Sequence, residues 1–238
     1  MTDLPAPEKS RQWQAVWNAL ETVLDPELDE PITDLDFVES CTVSPDGDVA
    51  VGLRLPTFFC APNFSFLMVA DAYDAVSAVP GVRNATVTLA DHHASDEING
   101  GVAAHAGFVG SFAGEATAEL DELRRTFLTK AAMAGQDRVA RPLADAGVFP
   151  EELAELTLGE MPPSEELTRL RERRQWLGLP CDDDAPLLLH VDGSRVTTEQ
   201  VPLHLRRARL QRVGIETNGE YCKSLLQTRY SAAAAGRS

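Results

Sequence analysis

Paired cysteines, long apolar runs and an adequate supply of basic residues are all missing from this sequence, and each absence removes a class of protein. The four cysteines, Cys41, Cys60, Cys181 and Cys222, lie far apart with no CxxC spacing. Neither a disulfide framework nor a closed zinc site can be read from such spacing, and reduced thiols are expected. The longest apolar stretches, such as that around 64–69, fall far short of the roughly 20 residues of a membrane span. No basic and apolar leader opens the chain, so a cytoplasmic protein without membrane contact is expected. With 21 Lys and Arg against 37 Asp and Glu, a formal charge of −16, the chain lacks the clustered cations that bind phosphate groups. That balance argues against general affinity for nucleic acid or anionic lipid.

What is present is ordinary globular composition, 44% apolar and 24% charged over 238 residues, enough for one large domain or two small ones. Charge is spread unevenly: residues 1–100 hold 17 acidic and 4 basic side chains, whereas 200–238 hold 2 and 7. The basic tail, with Arg206, Arg207, Arg209 and Arg212 among it, is expected to dock on the acidic N-terminal domain or on an acidic partner. A solvated basic helix is the alternative.

Residues 12–24 place Trp13, Val16, Trp17, Leu20, Val23 and Leu24 at helical spacing, and the run stops at Pro26. The two tryptophans are assigned to the core. Residues 37–43 and 49–55 alternate as half-buried strands about Pro45-Asp46-Gly47-Asp48, which has hairpin-turn chemistry. Cys60 stands just ahead of a helix over 63–79, closed by Pro80-Gly81, and 82–89 alternates as a third strand. The stretch 94–114 is rich in Gly, Ala and Ser and reads as a linker. Helices are expected over 115–146, over 151–158 and from a Ser164 cap to Trp176, then a short hairpin within 187–198 and a basic helix over 202–213. The expected fold class is α/β of the α+β kind: an α-β-β-α-β domain over 8–93, a linker over 94–114 and a mainly helical C-terminal domain over 115–230.

Cys60 carries the strongest chemical signal. A thiol ahead of a helix faces unpaired N–H groups and the positive end of the helix dipole, which favour thiolate and hence a nucleophile or soft-metal ligand. A buried apolar cysteine among Phe58, Phe59 and Phe64 is an equal alternative. Asp25-Pro26-Glu27 sets two carboxylates in a turn made rigid by proline, as hard ligands or acid–base groups. Taken alone, such a turn more often just ends a helix. His92 and His93 close the third strand, and adjacent strand residues face opposite ways. One of them at most, assigned as His92, brings imidazole to a metal shared with Cys60, against the alternative of a polar strand end in solvent. No His base can be assigned to Cys60 as a nucleophile, so a hydrolase or transferase ranks behind a role without catalysis. Cys41 and Cys181 are read as structural or incidental, the latter because Asp182-Asp183-Asp184 disfavour a thiolate beside them. Cys222 has no partner at ligand spacing and stays unassigned.

Taken together and in order, Asp25-Pro26-Glu27, a hairpin, Thr57 and Cys60 with Pro62 opening a helix, then Pro80-Gly81-Val82 and a strand resemble the metal–sulfur cluster assembly domain of the SufT and PaaD families. The resemblance covers 8–93. It implies one site formed by the acidic turn and the cysteine loop, with Cys60 tied to iron–sulfur maturation and Thr57, Glu27 and Asp25 in support. Cys60, Glu27 and His92 are then the candidate ligands of iron or of a transiently bound iron–sulfur cluster. Two departures stand out: Ala61 separates Cys60 from Pro62, where the family more often has Cys followed directly by Pro, and Asp91-His92-His93 replaces an acidic aromatic ending. Residues 57–64 are similar to versions encoded beside soluble diiron monooxygenases, which implies a dedicated client. The expected function is a non-enzymatic maturation factor that delivers iron or a cluster to a client metalloprotein such as a diiron monooxygenase. Pairing into a homodimer is a further expectation. The alternative is a chaperone-like adaptor that helps an apo-oxygenase fold without handling metal.

Overall fold

The computed structural model describes residues 6–235. It divides into two compact units, one built from residues up to Leu120 together with those from Asn218 onward, the other from Asp121–Thr217.

The first unit opens with α1 (Ala6–Glu21), β1 (Val38–Val43), β2 (Asp48–Leu53), α2 (Pro62–Ser77) and β3 (Asn84–Leu89), the expected α-β-β-α-β order. β1 and β2 pair antiparallel through the hairpin, and β2 pairs parallel with β3, giving the sheet order β1-β2-β3. A parallel neighbour requires a crossover, and α2 supplies it. Alternation decides which face is covered: Val49, Val51 and Leu53 of β2 and Val87 and Leu89 of β3 are buried, while Asp48, Ala50, Thr86 and Thr88 are exposed. Onto that face pack Val16 and Leu20 of α1 and Val69, Ala72 and Val76 of α2. Gly47 takes φ +86° in the hairpin turn, and a Cβ there would lie 2.4 Å from the Gly81 carbonyl oxygen. A side chain at that position would meet both strain and a backbone clash.

Two expectations change here. The segment 94–114 is not a linker: it forms α3 (Ser95–Ala103) and α4 (Gly107–Ser111), with Ile98 and Val102 buried in the same core. Small residues lowered the apparent hydrophobicity of a stretch that buries only a few side chains. Of the two tryptophans, Trp17 packs partly buried against the core, but Trp13 does not. Trp13 is 37% exposed and stacks on Trp17 at 5.2 Å between ring centroids, and its indole N–H donates to the Cys41 carbonyl.

The second unit contains α5 (Asp121–Asp145), α6 (Pro150–Glu155), α7 (Glu165–Leu177) and the first part of α8 (Val201–Ala235). Ser164 caps α7 as expected, its hydroxyl accepting from the Leu167 N–H at 3.2 Å. Residues 115–120 lie outside α5, and the expected hairpin shrinks to a single Leu189–Arg195 bridge. Polar groups organise this core. The fully buried Arg174 donates to the carbonyls of Pro186 and Leu187 at 2.7 and 2.6 Å, and Gln136 bonds both backbone groups of Leu189 and the His204 ring.

The basic helix is much longer than the expected 202–213. It runs to Ala235, and from Asn218 on it belongs to the first unit. There Lys223 pairs with Glu30 at 2.8 Å and Arg229 pairs with Asp91, whereas Arg206, Arg207 and Arg209 are exposed and Arg212 pairs with Asp137 and Glu216. Ion pairs that stay partly in solvent, as those of Lys223 and Arg229 do, contribute little alone. Leu226, 2% exposed within the core, and the Arg229 bond to the Leu55 carbonyl at 2.9 Å fix the helix more firmly.

Candidate functional site

The acidic turn follows α1. Asp25 is 7% exposed, and its carboxylate accepts from the N–H groups of Glu27 and Leu28, both at 2.8 Å. The backbone closes the turn on itself through Asp25 N–H to the Glu30 carbonyl at 2.9 Å, with Asp29 at φ +53°. This is the Asx-type geometry that short acidic side chains favour. Burial outweighs the two bonds and pushes the Asp25 carboxyl up to about 6, with the charges of Glu27 and Glu30 adding to the rise. Glu27 and Glu30 are only half-buried.

The cysteine loop leaves β2 through the buried Leu55 and Pro56 and enters α2 at Pro62. Cys60 is half-buried, with its sulfur 3.4 Å from the Thr57 hydroxyl, which also accepts from the Phe59 N–H. Ala61 occupies the N-cap without a capping side chain, and Pro62 preorganises the first turn. Phe58 and Phe59 turn outward, 42% and 78% exposed, while Cys60 itself packs partly against the hydrophobic core.

His92 has a different part from the one expected. It is 3% exposed, and its Nδ1 accepts from the Ala94 N–H at 3.1 Å, so the proton sits on Nε2, which donates to the Cys60 carbonyl at 2.8 Å. Burial lowers its pKa and keeps the ring neutral. Both nitrogens therefore face backbone groups: His92 holds the cysteine loop in place and has no ring nitrogen to offer a metal. His93 bonds the Phe58 carbonyl at 3.0 Å from the same side.

Sequence reasoning left Cys222 unassigned, and the tertiary structure brings it to this site. Gly219, Cys222, Lys223, Leu226, Arg229 and Tyr230 form the inward stripe of α8. Burial and then the neighbouring Asp25, Cys60 and Glu27 push the Cys222 thiol up to about 11. Its only sequence signal was the basic tail around it. Among the described residues, no three His, Cys, Asp or Glu side chains close into a ready-made metal site. Beside the loop, α2 opens onto a groove of about 830 Å³ lined by Ala61, Asn63, His93, Glu97 and Phe112. Cys41 stays in β1 with its thiol raised by burial, and Cys181 lies in the second unit.

The first unit is thus a small α+β domain that presents a half-buried thiol bonded to a hydroxyl on the cysteine loop and a buried carboxylate in the acidic turn. Residues 13–89 match the family model described as iron–sulfur cluster assembly protein. The match runs from α1 to β3 and includes neither α3 nor the α8 tail nor the second unit. The chain is 39% identical over 75 residues to an iron–sulfur cluster carrier protein of Mycobacterium leprae (strain TN), which covers 32% of this chain and 19% of that relative. The crystal structure of a domain of unknown function from Bacillus anthracis aligns with 36% of this chain and 79% of its own, at 23% identity and a TM-score of 0.33.

Proposed function

We propose that the first unit carries iron or an iron–sulfur cluster transiently, without catalysing a reaction of its own, and delivers it to a client metalloprotein. Cys60 is the principal ligand, with the Thr57 hydroxyl supporting its sulfur. Asp25 and Glu27 provide the acidic flank, Glu27 as the half-buried carboxylate able to reach a metal. The observation that carries this reading is a half-buried thiol on a loop pinned by His92 and bonded by Thr57. The match of residues 13–89 to iron–sulfur cluster assembly proteins and the name of the M. leprae relative support the nature of the cargo. A soft thiolate suits iron and its sulfide clusters. An incomplete ligand set suits release, because a closed site would retain its metal. The form of residues 57–64 favours a dedicated client of the diiron monooxygenase kind.

The test replaces Cys60 with Ser and with Ala and measures iron and sulfide bound after anaerobic reconstitution, together with transfer to an apo-acceptor. Loss of both in folded variants is expected. Retention of both would overturn the proposal.

A further inference from the structure

We infer that Cys222, carried in by the C-terminal helix, is the second thiolate of this site, so that Cys60 and Cys222 grip the cargo together. The inference rests on the proposed carriage of iron or a cluster and deepens it by naming a ligand outside the segment matched to cluster assembly proteins.

The position of Cys222 is fixed from both sides along α8. One turn before it, Gly219 lies against the acidic turn, where a Cβ would come 3.2 Å from Oε1 of Glu30. The next residue, Lys223, holds the same carboxylate through Oε2 at 2.8 Å. One turn on, Leu226 enters the core, and at the following turn Arg229 donates to the carbonyl of Leu55, two residues ahead of Thr57. A helix anchored at once to the acidic turn and to the root of the cysteine loop sets the side chain between those anchors facing both. Cys222 and Cys60 are each half-buried and pack against the same hydrophobic core. The sensitivity of the Cys222 thiol to Asp25, Cys60 and Glu27 agrees with that placement.

Binding of a thiophilic cation by two thiols exchanges two S–H bonds for two metal–sulfur bonds and releases two protons. Two thiolates leave the remaining coordination positions open to sulfide or to the ligands of an acceptor. A Cβ at position 219 would crowd Oε1 of Glu30, so that carboxylate would have to give by a few tenths of an ångström for the helix to keep its place.

The test uses the full chain with Cys41 and Cys181 changed to Ser, so that only the two thiols in question remain. Dibromobimane, which fluoresces on joining two adjacent thiols, is expected to give an intramolecular cross-link, and absence of the cross-link would overturn the pairing. Co²⁺ added anaerobically is expected to give a sulfur-to-metal charge-transfer band that falls to about half in Cys222→Ser, with weaker binding. A full band in Cys222→Ser combined with its loss in Cys60→Ser would overturn the role of Cys222 and leave Cys60 as the ligand. A full band in both variants would overturn this inference and the proposed function together. Circular dichroism of each variant separates loss of ligand from loss of fold.

Discussion

Replacing Asp25 with Asn is expected to stabilise the first unit at neutral pH and to do so progressively less in acid. The buried carboxyl has a pKa of about 6 in the folded protein against 3.8 for an ordinary aspartate. The folded state therefore holds the proton more tightly than the unfolded chain. The stability contributed by Asp25 is fully present below about pH 3.8 and is lost as pH rises through about 6. Working through both protonation equilibria, burying this carboxylate costs about 3 kcal/mol at about pH 7.5 and about 1 kcal/mol at about pH 4.5. Asparagine matches its size, stays neutral and keeps an oxygen for the N–H groups of Glu27 and Leu28. Those bonds weaken by about 1 kcal/mol in total at either pH. The net expectation is a gain of about 2 kcal/mol at about pH 7.5 that falls to near zero at about pH 4.5. Urea denaturation read by tryptophan fluorescence measures it, in a Trp176→Phe background that leaves Trp13 and Trp17 of α1 as probes. An unchanged midpoint at neutral pH, or the same gain at both pH values, would refute the reasoning. If the costly carboxylate is retained for the site, the stabilised variant also takes up less iron, the usual exchange of stability against function.

His92→Ala leaves the Cys60 carbonyl without its imidazole donor and the Ala94 N–H without its acceptor. A loss of about 2–3 kcal/mol is expected by the same fluorescence assay, with faster alkylation of Cys60 by iodoacetamide as the loop loosens. Because burial depresses the His92 pKa, its contribution in the wild type is present above about pH 6.5 and declines as pH falls below that value. In the second unit, Arg212 Nε donates to Asp137 at 2.6 Å with both side chains buried, and Glu216 takes another guanidinium N–H at 2.6 Å. Asp137→Ala is expected to cost about 3 kcal/mol, the lower end for a broken buried pair because Glu216 still partners Arg212. Fluorescence of Trp176 during denaturation reads it, and a loss below about 1 kcal/mol would refute a desolvated pair.

Alternation and helical spacing determined the α-β-β-α-β order, since each of those elements buries one regular face and a period of 2.0 or 3.6 is visible in one dimension. The same local rules placed Asp25 and Glu27 in a turn, Cys60 ahead of α2 and Ser164 at the cap of α7, because turns and caps are decided within a few residues. Local reasoning was weaker for 94–114, whose small residues hid two packed helices, and for Trp13 and Trp17, whose spacing gave a helix face but not its depth. Tertiary structure alone decided where His92 and Cys222 lie. A ring nitrogen is a ligand or a strut according to which backbone groups lie beside it, and no strand pattern reports that the Ala94 N–H and the Cys60 carbonyl take both. Cys222 reaches the acidic turn only because a long helix returns to the first unit, a contact between residues so distant in the chain that no spacing records it.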